Sequence, residues 1–290
     1  MRLPALPVKP RSTLVLPTAL LTLLLLLWSG GVAGAAPYSD VVFADNPVSY
    51  WRLGDSAGAT ANDIAGGRNG SYNGSAALNQ QGAIVGDADG AMGVQSGGRM
   101  TVPHDAALNT GTFSIELWAQ LNTNPNAGAE VILTTRVGHF NGYNFAFGGQ
   151  SVPEDDPNLV FYLGTGSAWE YIGWTPSTTV EYGAWNHIVG TFEGTTARLF
   201  LNGEEAASGT VSTYTTSLGG ELALGGWGGS FDMTNGFIDE VAYYNYALGA
   251  DRVENHYLTG IGVIPEPNTA LLLGMGLVGL SASNRRRASR

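Results

Sequence analysis

Two adjacent carboxylates, Asp239 and Glu240, lie inside the apolar run Phe237-Ile238-Asp239-Glu240-Val241-Ala242-Tyr243. Successive side chains of a regular strand face opposite ways, so Asp239 shares a face with Phe237, Val241 and Tyr243 while Glu240 shares the other with Ile238, Ala242 and Tyr244. Burying a carboxylate without a partner is costly, so each of these acids needs a cation, an arginine or several donors. Only six of the 13 basic residues fall between the signal segment and the C-terminal Arg cluster, over residues 36–284, against all 24 acidic ones, and none of the six is lysine. A metal ion is therefore a credible partner for at least one acid. Calcium suits such a chain best, because carboxylates and loop carbonyls are hard oxygen ligands and there is no cysteine to favour a softer metal. The loop from Asp63 to Gly70, with Asn62, Asp63 and Asn69 around it, offers further oxygens. The competing reading is a pair of salt bridges, for instance to Arg52 or Arg68.

A second constellation is aromatic. In Trp169-Glu170-Tyr171-Ile172-Gly173-Trp174 the strand period puts Trp169 and Tyr171 on one face, and Trp227 and Phe231 stand in a Gly-rich loop. Flat rings beside Asn, Asp and Glu can stack on sugar rings and hydrogen-bond their hydroxyls. Trp169, Tyr171, Trp174 and Trp227 are therefore the candidate ligand residues, the alternative being that they cap the ends of the fold. Catalytic motifs are missing. His104, His139, His187 and His256 form no short zinc motif, and no Gly-x-Ser-x-Gly elbow occurs. His187 reads as a packed, hydrogen-bonded histidine, since Trp185, Val189 and Thr191 share its face.

These residues must be positioned by strands. Glycine supplies 42 of 290 residues, mostly beside Asn, Asp or Ser, as turns require. Between the turns run short alternating segments. Phe113, Ile115, Leu117, Ala119 and Leu121 point one way and Ser114, Glu116 and Gln120 the other, the pattern of a half-buried strand. A strand from Trp185 to Phe192 meets Glu193-Gly194, and one from Ala197 to Leu201 meets Asn202-Gly203, a dipeptide favoured in tight hairpins. Many short strands in one sizeable unit predict an all-β, two-sheet antiparallel sandwich or jelly roll. One helix is expected from Gly249 to Tyr257, with Val253 and Tyr257 against a sheet edge.

Five segments in order resemble the laminin-G-like jelly-roll domains of the concanavalin A-like lectin and glucanase superfamily. They are Val48-Ser49-Tyr50-Trp51-Arg52-Leu53-Gly54-Asp55, Phe113 to Trp118, Trp185 to Gly194, Arg198 to Gly203, and Gly236 to Asn245. The resemblance implies a structural calcium in many relatives, held by an acid after the Trp-x-Leu landmark and the acid of the Ile-Asp-Glu-Val strand, which here are Asp55 and Asp239. It also implies that a glucanase member would carry Glu-x-Asp-x-x-Glu on one strand, so that two carboxylates flank a glycosidic bond. That spacing is absent, and no catalytic residue is expected.

The termini carry addresses. Arg2, Lys9 and Arg11 precede the apolar run Leu14 to Trp28, and Ala33-Gly34-Ala35 supplies a small-residue cleavage site, as in a secretory signal peptide over residues 1–35. At the other end Pro265-Glu266-Pro267, a hydrophobic stretch and Arg285-Arg286-Arg287 resemble the PEP-CTERM sorting signal of Gram-negative bacteria over residues 261–290. That resemblance implies an exosortase-type processing enzyme as partner and a link to exopolysaccharide and biofilm. The apolar stretch is shorter than the roughly 20 residues of a stable span, which suits a transient inner-membrane anchor. The part between, residues 36–260, is expected to be one domain.

Six basic against 24 acidic residues leave the exported part with a formal charge near −18, which repels nucleic acid and anionic lipid. The expected function is thus a non-enzymatic carbohydrate-binding module of the cell surface or extracellular matrix, with a polysaccharide or surface glycan as partner. A protein-binding adhesion module and a polysaccharide-cleaving hydrolase or lyase are the alternatives.

Overall fold

The computed structural model describes residues 37–263, apart from residues 96, 123–129, 136–139, 148–157, 174 and 227–234. The signal segment, the sorting segment from residue 264 onward, Trp174 and Trp227 lie outside the described residues. Two antiparallel sheets stack face to face. Sheet A runs in the order β14 (Glu204–Thr210), β13 (Thr196–Leu201), β12 (Trp185–Glu193), β7 (Phe113–Leu121), β16 (Asn235–Tyr244), β5 (Gly90–Gln95) and β4 (Ala77–Gln81), with β1 (Ser49–Trp51) also paired to β16. Sheet B runs β11 (Trp169–Gly173), β10 (Leu159–Gly164), β9 (Tyr143–Phe147), β8 (Glu130–Thr134), β15 (Leu222–Leu224), β6 (Arg99–Val102), β3 (Gly70–Asn73) and β2 (Thr60–Ala61). The expected two-sheet sandwich is what the chain forms.

Local chemistry sets the hairpins. Asn202 and Gly203 take φ of 52° and 84°, and they join Leu201 to its register partner Glu204 as a two-residue loop of the kind whose twist matches the strands. The core lies between the sheets, where Phe113, Ile115, Leu117, Ala119 and Leu121 of β7 face Phe145 and Phe161 of sheet B. The layers approach closely at Gly190 of β12. A Cβ there would fall 2.7 Å from the Phe145 ring, so only glycine lets that ring seat.

Most of the outer face of sheet A is covered as well. Helix α1 (Tyr38–Ala44) and helix α2 (Ala250–Gly260) lie over it, burying Tyr38, Val42 and Val253 with Trp118, Val189, Phe200 and Tyr244 in a second apolar layer. Two expectations change as a result. β7 is buried on both faces, with Ser114 and Glu116 as inaccessible as their apolar neighbours. The C-terminal helix packs on a sheet face rather than an edge, with Tyr257 stacked 5.9 Å from Trp118. Sequence alternation reports only that two faces differ, and here the polar-looking face is covered by residues from both ends of the domain.

Candidate functional site

Sheet B carries no helix among the described residues, and its β10–β11 end presents aromatics. Thr134, Asn144, Tyr162 and Tyr171 are successive register partners across β8, β9, β10 and β11. Their exposure climbs along that row. Thr134 is 1% and Asn144 7% exposed, Tyr162 is half-buried, and Tyr171 at the sheet edge is 49% exposed. The Tyr162 and Tyr171 rings lie 5.5 Å apart, and Trp169 stands edge-on to Tyr162 at 6.4 Å and to Phe140 at 6.3 Å. Trp169 and Tyr171 thus share a face as expected, and Tyr162 and Asn144 join them from strands that no local pattern connects. Glu170 faces the other way and accepts hydrogen bonds from the amide and hydroxyl of Ser212.

The carboxylates form a different arrangement from the one expected. The register of β16 slips between Asp239 and Ala242, with Asp239 opposite Trp118 and Ala242 opposite Glu116. Glu240 is the extra residue of this bulge and adopts a left-handed φ of 51°. Val241 and Tyr243 therefore point into the inter-sheet core with Ile238, whereas Asp239 and Glu240 both turn to the outer face of sheet A. The expectation that the two acids face opposite sides fails because the bulge adds one residue to the two-residue period.

Each acid has defined partners. Arg52 donates to Glu240 Oε1 through Nη2 at 2.7 Å and Nε at 3.0 Å, and Tyr50 donates its hydroxyl to Oε2. The same guanidinium reaches Asp87 at 2.8 Å and lies 3.2 Å from Asp89. Asp239 accepts only main-chain amides, from Ala83 at 2.8 Å and Glu240 at 3.0 Å. Burial, followed by the Glu240 charge, pushes its carboxyl well above the usual range, and burial raises Glu240 too, against the pull of Arg52. Asp89 Oδ2 is buried without a hydrogen bond.

Of the other expected ligands, Asp63 is fully engaged. Its Oδ1 accepts from the amides of Tyr50, Ala65 and Gly66 at 2.9, 3.0 and 2.9 Å, and its Oδ2 from Arg68 N at 2.8 Å. Asn69 Oδ1 accepts from Asp63 N at 2.9 Å. These two residues hold the loop together instead of aiming oxygens at Asp239. Asp55 accepts from Tyr72 Oη at 2.8 Å and from Asn62. Arg68 pairs with Asp105 at 2.7 Å, so of the two suggested arginines only Arg52 meets the buried acids. Among the described residues no three His, Cys, Asp or Glu side chains converge closely enough to hold a metal ion.

A separate network lies under the helices. Glu116, with no exposed surface, receives Tyr38 Oη at 3.0 Å and Tyr244 Oη at 3.3 Å and lies 2.9 Å from His256 Nδ1. His256 Nε2 is 2.8 Å from Asp45, which Arg252 also clasps. Burial alone would lower the His256 pKa, but Glu116 and Asp45 push it up to about 9. Burial likewise works against the Glu116 charge, yet His256 holds its carboxyl well below the usual range. His187 is packed between Trp118 and Tyr257, as expected, but its nitrogens have no hydrogen-bond partner and Glu116 is 3.9 Å away. Burial lowers its pKa.

Residues 94–254 match the concanavalin A-like lectin/glucanases superfamily. The chain belongs to that superfamily. Solved structures with the superfamily's fold include the botulinum neurotoxin serotype D binding domain, 13% identical with a TM-score of 0.57, covering 73% of this chain and 50% of that one. The binding domain of Paraclostridial Mosquitocidal Protein 1 is 16% identical with a TM-score of 0.56, covering 73% of this chain and 52% of that one. A Trypanosoma rangeli sialidase is 13% identical with a TM-score of 0.54, covering 74% of this chain and 33% of that one. This chain thus spans about half the length of the toxin domains, and at such identity the likeness establishes the fold. No curated protein matches the sequence. Residues 263–287 match the PEP-CTERM protein-sorting motif, so this superfamily member is an exported protein sorted to the cell surface through an exosortase-type system. Among the described residues no helix is long and apolar enough to cross a membrane.

Proposed function

We propose that this protein is a non-enzymatic glycan-binding module of the cell surface or extracellular matrix, and that it binds polysaccharide on the outer face of sheet B at the β10–β11 edge. The observation that carries the reading is the Tyr162, Trp169 and Tyr171 cluster, in which the half-buried Tyr162 stands between the buried amide Asn144 and the exposed Tyr171. Rings in that setting offer flat apolar faces to the C–H faces of sugars, and the tyrosine hydroxyls offer hydrogen bonds. The buried carboxylates favour a binder over a glycosidase. Glu116 is sealed beneath two helices, and Glu240 is clamped by Arg52 and Tyr50, so neither faces a bond to be cut.

Affinity electrophoresis of the secreted protein through matrix polysaccharide extracted from the host tests this reading. Tyr171→Ala is expected to weaken retention at least tenfold with the melting temperature unchanged. Equal retention of wild type and variant would remove this face, and release of reducing sugar by the wild type would restore the enzyme.

A structural calcium belongs to the same proposal, with a revised ligand set. Asp239 and Asp89 are its carboxylates, because one is buried with amide partners only and the other has a buried oxygen, Oδ2, whose one charged neighbour is Arg52 Nε at 3.2 Å, a guanidinium it shares with Asp87 and Glu240. Both border Gly82, where a Cβ would lie 3.2 Å from Asp239 Oδ2 and 2.5 Å from the Asp89 carbonyl oxygen. Asp55 adds its charge nearby, raising the Asp89 pKa after burial and Asp87. Calcium would complete its shell from main-chain carbonyls and water, as hard oxygen sites do. Asp63 and Asn69 serve the loop.

A further inference from the structure

One opening lies on the far side of the sandwich from the β10–β11 aromatics. Sheet A is covered by α1 and α2 over most of its outer face, but a cleft of about 490 Å³ remains between the segment 79–90 and Trp185. That volume falls within the range of about 300–1,000 Å³ typical of small-ligand sites. Its lining mixes amides and acids with the exposed Val85 and one large ring. Asn79 and Gln81 are exposed amides, Asp87 and Asp89 are acids, and the partly exposed Trp185 packs at 6.2 Å against Phe237.

The segment that forms one wall is fixed in place. Ile84 is buried in the outer apolar layer, Ala83 N donates to Asp239, and Val85 N donates to Gly260 O at 2.9 Å, at the end of α2. Asp87 is tied to Arg52 at 2.8 Å. A wall held at four points is ordered before any ligand arrives, which cuts the entropy cost of binding. The charge in the cleft is lopsided: Arg52 stands against Asp87, Asp89 and Glu240, so an anionic ligand is repelled.

We infer that this cleft is a second glycan site, specific for chains of neutral sugars, and that the domain is thereby bivalent. The Trp185 indole takes the apolar face of a sugar ring, the amides and Asp87 take its hydroxyls, and the local acids exclude uronic acids. Because the outer faces of a two-layer sandwich point away from each other, the two sites engage separate strands and the protein bridges them. Bridging raises apparent affinity for a matrix without any new contact. The inference rests on the glycan-binding reading above, and its test separates the two.

Isothermal titration of the secreted protein in metal-free buffer, with glucan, galactan and mannan hexasaccharides and with a hexauronate, reads the number of sites. Two equivalents of a neutral hexasaccharide per chain are expected, with no heat from the hexauronate. Ala88→Trp, which fills the cleft from an exposed position, should reduce this to one equivalent, as should Trp185→Ala. Tyr171→Ala should remove the other. With the matching long polysaccharide the wild type should form aggregates in light scattering, and each single-site variant should bind without aggregation. One equivalent, lost in Tyr171→Ala and kept in Ala88→Trp, would overturn the cleft and leave the sheet B reading intact. One equivalent, lost in Ala88→Trp and kept in Tyr171→Ala, would overturn bivalency and the sheet B reading together while retaining the cleft. Equal binding of the hexauronate, or no binding of any neutral chain, would overturn the inference as well.

Discussion

Glu116 and Asp239 sit on adjacent strands of one sheet, turned to the same outer face and exposed by 0% and 1%, yet their chemistry diverges. Glu116 has a histidine at 2.9 Å and two tyrosine hydroxyls, and its charge is favoured despite burial. Asp239 has two amides and an acid as its chain neighbour, and its charge is resisted. Depth alone does not fix the state of a buried acid; the sign of its nearest partner does. The first arrangement binds both ends of the described domain to the sheet, since Tyr38 and Asp45 come from one end and Arg252 and His256 from the other. The second is short of positive charge in the folded protein, the condition under which a bound cation stabilises most.

The largest expected effect comes from removing the partner that separates these acids. His256→Leu leaves Glu116 buried with hydroxyl donors only, and breaking a buried pair from one side costs about 3–5 kcal/mol. Urea unfolding at pH 7 measures it. Adding Glu116→Gln to that variant should recover part of the loss, because the stranded charge is gone. A loss under about 1 kcal/mol in the single variant would mean that Glu116 is neutral and that the two acids are alike after all. The pH dependence has a defined sign. His256 titrates at about 9 in the folded protein, above the unfolded value of about 6.5, so its contribution is complete below the latter and disappears as pH rises through about 9. The melting temperature should fall across that window, and His256→Leu should flatten the fall.

Next in size is the response to calcium. An ion that binds only the folded state adds about 2.7 kcal/mol at 100 times its dissociation constant. Because the Asp239 carboxyl is raised when folded, its own contribution in the metal-free protein falls as pH climbs above about 3.9, the unfolded aspartate value, so wild type should lose ground to Asp239→Asn over that range, and calcium should offset the loss more at pH 7 than at pH 5. Asp239→Asn removes the charge and keeps the shape. It relieves the buried charge but turns one of the two oxygens that hold the Ala83 and Glu240 amides into a donor, so its melting point reflects both, and the decisive readout is the absence of a calcium response. Identical wild-type melting in calcium and in chelator would leave Asp239 and Asp89 as protonated or arginine-screened acids without a metal.

The contrast between the two acids was only half legible in the sequence. The strand period of β7, the Asn202-Gly203 turn and the order of the landmarks specify the sandwich, because turn chemistry and alternation are local. The aromatic pair Trp169 and Tyr171 was legible for the same reason. The bulge was not. Nothing in Asp239-Glu240-Val241 signals that Glu240 takes a left-handed φ and moves Val241 and Tyr243 to the opposite face from the one a regular strand would give them. The Asp45–His256 pairing escaped because its members lie 211 residues apart, whereas Tyr162 and Asn144 escaped because which residues share a row depends on strand register, which alternation does not fix. Helix α1 is seven residues, too short for a helical period to stand out.

The smallest expected effect separates loop acids from cation acids. Asp63 accepts four main-chain amides, three on Oδ1 and one on Oδ2, which is the work of a cap. In Asp63→Asn one oxygen survives and can keep the Oδ1 bonds, while the amide nitrogen facing Arg68 N replaces an acceptor by a donor. Losing one charge-assisted hydrogen bond costs about 1.5–3 kcal/mol, and the exposed loop lets water recover part of it, so a net loss of about 1–2 kcal/mol is expected. The decisive quantity is the difference between calcium and chelator. If Asp63 only organises its loop, that difference is the same in wild type and variant, and the two melting curves shift in parallel. A calcium increment that vanishes in Asp63→Asn would return Asp63 to the metal shell, and the site would then extend from β16 across to the loop after β2, drawing Asp55 in with it.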